Sequence, residues 1–183
     1  DGEKQGAYQE KELCRPVNYY GETKVLAENY IQAHAKKYIT FRISWLFGPH
    51  GPSFSSKILE IAGKQNRIEI VDDQIGRPTY SEDVARAMLE ALTDKTDKML
   101  THLNETFHLA NTGQASWADY AQYVFDVMQK KEIAIVRIPS TQLKRRARRP
   151  LRSLLDLTKT KTLLDLELRP WQEAVNDFLS CHN

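Results

Sequence analysis

Residues 18–24 read Asn18-Tyr19-Tyr20-Gly21-Glu22-Thr23-Lys24, and the interpretation of the whole chain starts from this stretch. It contains a tyrosine and a lysine four positions apart, Tyr20 and Lys24. On an α-helix, residues with this spacing lie one turn apart on the same face, so the phenol and the ammonium group would be side by side. A neighbouring cation favours the phenolate, which eases proton transfer near neutral pH, and the ammonium group can also hold a sugar hydroxyl. The pattern therefore marks a candidate catalytic pair, although a packed tyrosine beside a solvated lysine would show the same spacing.

The composition excludes several classes of protein. The chain has 183 residues, which suits one domain, and a net charge of +2, which indicates no particular partner. No apolar run approaches the length needed to span a bilayer, and the first residues show no secretory pattern, so we expect a cytoplasmic protein without a membrane partner. Cys14 and Cys181 lack metal-ligand spacing and are expected to be free thiols in a reducing compartment.

Hydrophobic periodicity and capping residues predict an α/β chain. Residues 39–47 are rich in β-branched and aromatic side chains and are typical of one buried parallel strand. Ser53 and Ser81 are predicted to cap helices, Ser116 to begin a capping box, and residues 93–105 to form a loop. The predicted helices span 16–37, 54–65, 81–92, 116–130, 158–164 and 170–179, and the predicted strands 39–47, 68–71, 106–110 and 133–138.

Seven segments, taken in order, share a pattern with one enzyme family: residues 15–24, 41–48, 71–79, 107–109, 116–117, 149–150 and 153–156. Together they resemble the extended branch of the short-chain dehydrogenase/reductase superfamily, most closely the dTDP-4-dehydrorhamnose reductases. The resemblance implies the C-terminal part of a doubly wound, Rossmann-type parallel sheet plus a small α/β substrate-binding domain. Residues 1–48 would end the dinucleotide-binding domain. Residues 49–183 would be mainly substrate-binding, with one or two strands and helices returning to the sheet.

The phosphate-binding signature of dinucleotide enzymes is missing from this sequence. Its eight glycines include no G-x-G-x-x-G pattern, which cradles a pyrophosphate at a helix N-terminus. By resemblance, residues 1–13 form a loop that follows a strand carrying a catalytic Ser or Thr. The N-terminal Gly-rich βαβ units, about three βα units of roughly 30 residues each, would then belong to the parent protein only. We therefore expect the isolated chain to be inactive, and to self-associate or form a homodimer through an unpaired strand edge.

The resemblance also implies roles for four residues, and the chemistry of arginine suggests one for a fifth, Arg77, although a surface arginine is the commoner case. Tyr20 would donate a proton to the C4 oxygen of a dTDP-linked 4-keto-6-deoxy sugar, giving dTDP-L-rhamnose. Lys24 would favour the phenolate and, with Tyr20, hold the nicotinamide ribose of NADPH or NADH. Trp45 would contact the sugar, since ligands of open α/β sheets bind outside the C-terminal ends of the strands. Arg77 could reach the diphosphate, because arginine binds phosphate through paired hydrogen bonds, and Arg149 would lie near the nucleotide.

Three further motifs have simpler interpretations. Asp72 and Asp73 lack a third ligand and make a poor site for a hard cation, so we expect a structural role and no metal. His108 lies between apolar residues of a strand and is typical of a core histidine. The basic run at 144–149 is either a solvated loop or a rim that attracts a dianionic nucleotide sugar. It lacks the interleaved aromatic residues of a nucleic-acid site, so no nucleic-acid partner is expected.

Other functions remain open at this point. Another extended family member, such as a nucleotide-sugar epimerase or dehydratase, shares the Tyr-x-x-x-Lys pattern but usually lacks the segments found here at 44–48 and 73–79. A non-catalytic regulatory subunit of this fold, like the β-subunit of methionine adenosyltransferase, is a second alternative. The third is an inactive fragment.

Overall fold

Alternating helices and short strands build the part of the chain that this computed structural model describes, residues 1–180. The helices are α1 (Tyr19–His34), α2 (Phe54–Ala62), α3 (Ser81–Thr93), α4 (Thr96–Thr101), α5 (Trp117–Val127) and α6 (Trp171–Ser180). The strands are β1 (Ile39–Arg42), β2 (Leu46–Phe47), β3 (Arg67–Val71), β4 (Ile75–Gly76), β5 (Thr79–Tyr80), β6 (Glu105–His108), β7 (Asn111–Thr112), β8 (Ala115–Ser116), β9 (Ala134–Ile138) and β10 (Leu168–Pro170). Short 3-10 and π-helical turns lie at Ser140–Gln142 and Thr160–Leu164. None of these helices is long and apolar enough to cross a membrane.

Most strand pairs are parallel, as the predicted α/β fold requires. β1 pairs with β6, β2 with β5, β3 with β9 and β7 with β10, while β4 and β8 form the antiparallel pair. Parallel neighbours need long crossover connections, and helices supply them here. The β1–β6 pair joins the first fifty residues to the middle of the chain, so the parallel pairing connects segments that are distant in sequence.

The prediction of one continuous strand at 39–47 is wrong. The chain breaks between Arg42 and Leu46, because Trp45 adopts a left-handed backbone conformation with φ 45°. Before the break, β1 pairs with β6; after it, β2 pairs with β5. The amide of Thr79 donates to the Trp45 carbonyl at 3.0 Å, which fixes the point at which the partner changes.

Capping chemistry explains several helix boundaries. Helix α1 begins at Tyr19 rather than after Pro16, because the Asn18 side chain accepts from the Gly21 amide at 2.9 Å. The predicted caps of α2 and α5 are confirmed: both helices start with complete capping boxes. Ser81 is not a cap, since it is the first residue of α3 and the N-cap position belongs to Tyr80. Helix α1 also ends three residues earlier than predicted, at His34.

The segment 93–105 was expected to be a loop but contains α4. Its short helix is held by contacts that local sequence patterns do not reveal. Lys98 pairs with Asp165 at 3.2 Å, and Lys95 donates to the backbone carbonyl of the same aspartate. The C-terminal elements also differ slightly: α6 begins after Pro170, which lies in β10.

Two apolar clusters form the core, and α1 contributes to neither. One cluster joins α5, α6 and β3, and the other joins α3 and β6 to residues 164–168. Helix α1 has no buried residue. It is attached instead by polar contacts: Arg42 of β1 pairs with Glu28 at 2.6 and 2.9 Å, and Asn18 donates to the Arg148 carbonyl at 2.7 Å. A two-pronged arginine–carboxylate pair fixes orientation as well as distance. The helix that carries the Tyr-Lys pair is thus placed by directional bonds rather than by burial.

Candidate active site

A cavity of about 1130 Å³ lies where the start of α1, the break between β1 and β2, helix α2 and the basic run come together. Three of the five predicted site residues line it: Tyr20, Trp45 and Arg149. Lys24 and Arg77 are not part of its lining. Ligand pockets in proteins typically measure about 300–1,000 Å³, so this cavity is large enough for a nucleotide sugar.

Tyr20 and Lys24 have the predicted arrangement on α1. The Lys24 ammonium nitrogen lies 5.3 Å from the centre of the Tyr20 ring, within cation–π range. The Tyr20 side chain is 65% exposed, and neither its hydroxyl nor the Lys24 ammonium group has a hydrogen-bond partner within residues 1–180. Both groups therefore remain available to a ligand in or beside the cavity.

Trp45 is held by contacts from three separate segments. Its indole stacks on Trp117, with ring centres 3.7 Å apart and planes 5° from parallel. Its Nε1 donates to the Ser153 hydroxyl at 3.1 Å. The ring also lies so close to Gly76 that a Cβ there would be 2.4 Å from the nearest ring carbon. A left-handed backbone costs a bulky residue on the order of 1–3 kcal/mol, a strain that proteins tend to keep at functional sites. These contacts hold Trp45 in that conformation.

Trp117 also lines the cavity, and sequence reasoning did not identify it as a site residue. It is the first residue of α5, so the capping box of that helix fixes its position. Phe54 of α2 packs on its ring with centres 4.5 Å apart. The only sequence signal was its place in the Ser-Trp segment of the family pattern, which does not reveal that it stacks on Trp45.

Basic side chains outnumber acidic ones in the lining of the cavity. Two lining residues are acidic, Asp1 and Glu69, while four are basic: Arg15, Lys57, Arg145 and Arg149. The basic run at 144–149 supplies two of the four, which is compatible with the second of its two interpretations, a rim that attracts an anion. Arg148, in the same run, has a different role, since it forms an ion pair with Glu3 at 2.9 Å. An excess of positive charge beside apolar lining suits a ligand that combines phosphate with a ring system.

Arg77 is committed to backbone contacts. Its guanidinium group donates to the carbonyls of Leu155, at 2.9 Å, and Gly113. Burial lowers the pKa of Arg77, while the nearby Asp156 opposes the shift. These contacts give Arg77 a structural role in joining two segments. Binding of Arg77 to a diphosphate remains a prediction, and these two hydrogen bonds do not favour it.

The adjacent carboxylates at the end of β3 are used within the protein. Asp72 accepts from the Ser116 hydroxyl at 2.6 Å and from Arg137 at 2.7 Å. Asp73 accepts from the Ser140 amide and hydroxyl, each at 2.9 Å. Across residues 1–180, no group of three or more His, Cys, Asp and Glu side chains is arranged to hold a metal ion.

His108 is a core residue, as its strand position indicated. Its side chain is 1% exposed, and its Nδ1 lies 3.1 Å from the Asp156 carbonyl oxygen. Burial lowers the pKa of His108, against the opposing influence of Glu10, whose carboxylate also accepts the His108 amide at 3.0 Å. Of the two cysteines, Cys14 is exposed and free, and Cys181 lies outside the described residues.

Comparison with known proteins gives a consistent result. The family model described as the RmlD substrate binding domain matches residues 1–182. A dTDP-4-dehydrorhamnose reductase of Aggregatibacter actinomycetemcomitans is 32% identical over 182 residues, which cover 97% of this chain and 62% of that protein. An Escherichia coli enzyme of the same name is 33% identical over 171 residues, covering 90% of this chain and 56% of that protein.

Solved structures show the same relationship. A dTDP-4-dehydrorhamnose reductase from Clostridium acetobutylicum superposes with a TM-score of 0.89 at 28% identity, covering 100% of this chain and 62% of that one. A Bacillus anthracis dTDP-4-dehydrorhamnose reductase in complex with NADP gives 0.86 at 28% identity, covering 98% of this chain and 61% of that one. A UDP-glucose 4-epimerase from Thermotoga maritima, at 21% identity and a TM-score of 0.75, shares the fold alone.

The chain therefore spans less than two thirds of the length of the relatives that it matches. The fold predicted from seven short segments is confirmed by structures that superpose along nearly all of this chain. The match along residues 1–182 shows that the chain belongs to the family described as the RmlD substrate binding domain.

Proposed function

We propose that this chain is the substrate-binding part of a dTDP-4-dehydrorhamnose reductase and that its cavity binds a dTDP-linked 4-keto-6-deoxy sugar. One observation carries the proposal: the exposed Tyr20, the two stacked tryptophans and the basic rim line a single cavity. The names of the relatives support the same substrate class.

In the complete protein, Tyr20 donates a proton to the C4 oxygen of the keto sugar and Lys24 stabilises the phenolate that remains. A nicotinamide cofactor, NADPH or NADH, supplies the hydride for C4 when it is bound. Proton and hydride together convert the ketone into the hydroxyl of dTDP-L-rhamnose, and Tyr20 regains its proton from solvent. The uncommitted hydroxyl and ammonium groups on α1 suit the ribose hydroxyls of that cofactor.

The cofactor phosphates need other residues than those of this sequence. A dinucleotide pyrophosphate is held by a Gly-rich turn at a helix N-terminus, and none of the eight glycines forms that pattern. We therefore propose that the 183-residue chain by itself does not turn over substrate. Oxidation of NADPH by the purified chain in the presence of keto sugar, above a buffer blank, would contradict this.

The basic rim contributes binding energy for the diphosphate. A hydrogen bond to a charged group contributes roughly 1.5–3 kcal/mol, so Arg149→Gln should weaken dTDP binding about tenfold or more. Arg146→Gln is the matched control, because Arg146 belongs to the same exposed basic run but does not line the cavity.

Isothermal titration of the 183-residue chain with dTDP tests the proposal directly. We expect saturable binding that weakens as salt is added, since exposed charges are screened within about 10 Å at 0.1 M ionic strength. A chain that is folded but shows no saturable binding, or equal losses in the two arginine variants, would contradict the assignment of the cavity.

Strand β1 suggests how copies of the chain could interact. It pairs with β6 along one edge, and no strand of the described residues pairs with its other edge. Unpaired edges promote association between chains, so we propose that the isolated chain self-associates or forms a homodimer. Light scattering that shows a monodisperse monomer with a cooperative melt would refute this.

A further inference from the structure

Most of the Trp45 indole already contacts other residues, so little of its surface is available to a ligand. Trp117 covers one face of the ring, and the ring nitrogen already donates to Ser153 at 3.1 Å. The ring is also packed tightly against Gly76. A sugar in the cavity can therefore meet only the remaining surface of the indole, and it cannot accept a hydrogen bond from Nε1 without breaking an existing one.

Trp117 itself is rigidly placed. Its backbone starts α5, where the Ser116 hydroxyl accepts from the Asp119 amide at 3.0 Å and the Asp119 carboxylate accepts from the Ser116 amide at 3.2 Å. Phe54 supports the ring from α2. Because α2 and α5 both pack in the main apolar cluster, packing in that cluster fixes where Trp117 lies in the cavity wall.

The tryptophan pair differs from an ordinary core contact in one respect. Trp171, the third tryptophan of the chain, is 4% exposed, whereas Trp45 and Trp117 are both half-buried and line the cavity. A parallel pair with ring centres 3.7 Å apart is also not the offset or edge-to-face arrangement that aromatic rings prefer. The surrounding contacts thus select this geometry over the one that two free rings would adopt.

From these contacts we infer that Trp117 is a positioning residue that acts through Trp45. It sets the angle of the Trp45 indole and, with it, the shape of the wall of the cavity that Tyr20 also lines. Ser153 performs the same task at the other end of the ring through its hydroxyl. The inference rests on the proposed function for the identity of the ligand, but the orientation of Trp45 is measured without any ligand.

The fluorescence of proteins in which Trp45 is the single tryptophan tests the orientation of its indole. Since the chain has three tryptophans, Trp171→Phe combined with Trp117→Phe leaves only Trp45, and so does Trp171→Phe combined with Trp117→Ala. The phenyl ring should keep the indole in place, whereas alanine removes its support. We expect red-shifted emission and stronger acrylamide quenching in the alanine protein only. Identical emission and quenching in the two proteins would overturn the inference.

Affinity for dTDP tests the consequence for the site, with Trp171→Phe as the reference protein. We expect Trp117→Ala to weaken dTDP binding about tenfold, Trp117→Phe to stay within about threefold of the reference, and Ser153→Ala to fall between them. Equal affinities would overturn the role in binding even if the emission of Trp45 shifts. A purely structural Trp117 would lower the melting temperature in both Trp117 variants while leaving dTDP affinity and Trp45 emission unchanged.

Two controls separate the possible failures. Thermal unfolding of each variant is measured first, to show that it is folded. If Trp117→Ala does not fold, Trp117→Leu replaces it, because leucine keeps the apolar bulk but not the stacked ring. It should show the same red shift and loss of affinity. If the reference protein itself binds no dTDP, the proposed function of the chain fails, and the emission of Trp45 alone decides whether Trp117 positions it.

Discussion

Replacing Gly76 by alanine is the most direct way to disturb the site without removing any of its side chains. The backbone of Gly76 does not need glycine, because its φ lies outside the left-handed region. The added methyl group meets the Trp45 ring instead, with three ring atoms at 2.4, 2.6 and 2.8 Å. Ordinary van der Waals contact begins at 3.4 Å, so the nearest ring carbon must move by about 1 Å.

That displacement predicts both a loss of stability and a change at the site. Forcing an extra methyl group into a packed region costs about 1–3 kcal/mol. For a chain of this length, each kcal/mol lowers the melting temperature by roughly 2–4 °C. The Trp45 indole must shift relative to Trp117, stretch its bond to Ser153, or both. In a complete enzyme, a shift of about 1 Å near the reacting groups can lower the rate by roughly 100-fold.

Thermal and urea unfolding, together with tryptophan emission, measure the effect. Gly6→Ala is the matched control, because its new Cβ would meet only the end of Lys4, at 3.9 Å. A double-mutant cycle with Trp45→Ala then isolates the clash: Gly76→Ala should cost little once the indole is gone. The reasoning is refuted if Gly76→Ala unfolds like the wild type, or if its cost is unchanged in the Trp45→Ala background.

Three more predictions concern single residues. Tyr20→Phe, made in a complete protein, should lower kcat by roughly 10²–10⁴ while changing KM much less, as expected for a lost general acid; unchanged kcat would show that Tyr20 is not the general acid. Burial lowers the pKa of His108 below its usual 6.5, so the unfolded state binds the proton first as pH falls, and the free energy of unfolding should decrease below about pH 6.5. The slope is at most about 1.4 kcal/mol per pH unit, and urea unfolding of His108→Gln between pH 5 and 8 should lack this component; an equal slope in both proteins would contradict it. Arg169→Met leaves the buried Asp83 carboxylate without its ion-pair partner, which lies at 2.9 Å, and should destabilise the fold by roughly 2–4 kcal/mol in urea unfolding. This is somewhat less than the loss expected for a fully buried ion pair, because Arg169 is partly exposed. A loss under 1 kcal/mol would show that Asp83 is adequately solvated or held by Asn111 alone.

Local signals in the sequence predicted the parts of the fold that local physics determines. Ser53 and Ser116 cap their helices because each hydroxyl needs only an amide three residues away. Ser81 has the same side-chain chemistry but is not a cap, because the preceding residue, Tyr80, is already fixed. Tyr80 lies in β5, and its backbone amide donates a hydrogen bond to the Asn111 side chain at 2.8 Å. A competing long-range contact thus displaced a correct local preference.

The site itself depended on contacts between distant segments, which periodicity does not encode. Residues 39–47 form two strands because β6 and β5, from later in the chain, supply different partners on the two sides of Trp45. Trp117 was overlooked for the same reason, since only the folded chain brings it onto Trp45. Arg77 looked available for phosphate because the carbonyl of Leu155, its partner, is far away in sequence.

Helix α1 has a consequence for the dynamics of the Tyr-Lys pair. A helix without buried side chains opens locally at a small free-energy cost, so its amides should exchange with solvent much faster than those of α5, which has five buried residues. Under the proposed function, the geometry of the Tyr20–Lys24 pair then exists only for the fraction of time in which α1 is closed, and the apparent ligand affinity is reduced by that fraction. Whatever covers the exposed Leu26 and Tyr30 would raise the closed population, and so improve binding at Tyr20 without touching the ligand.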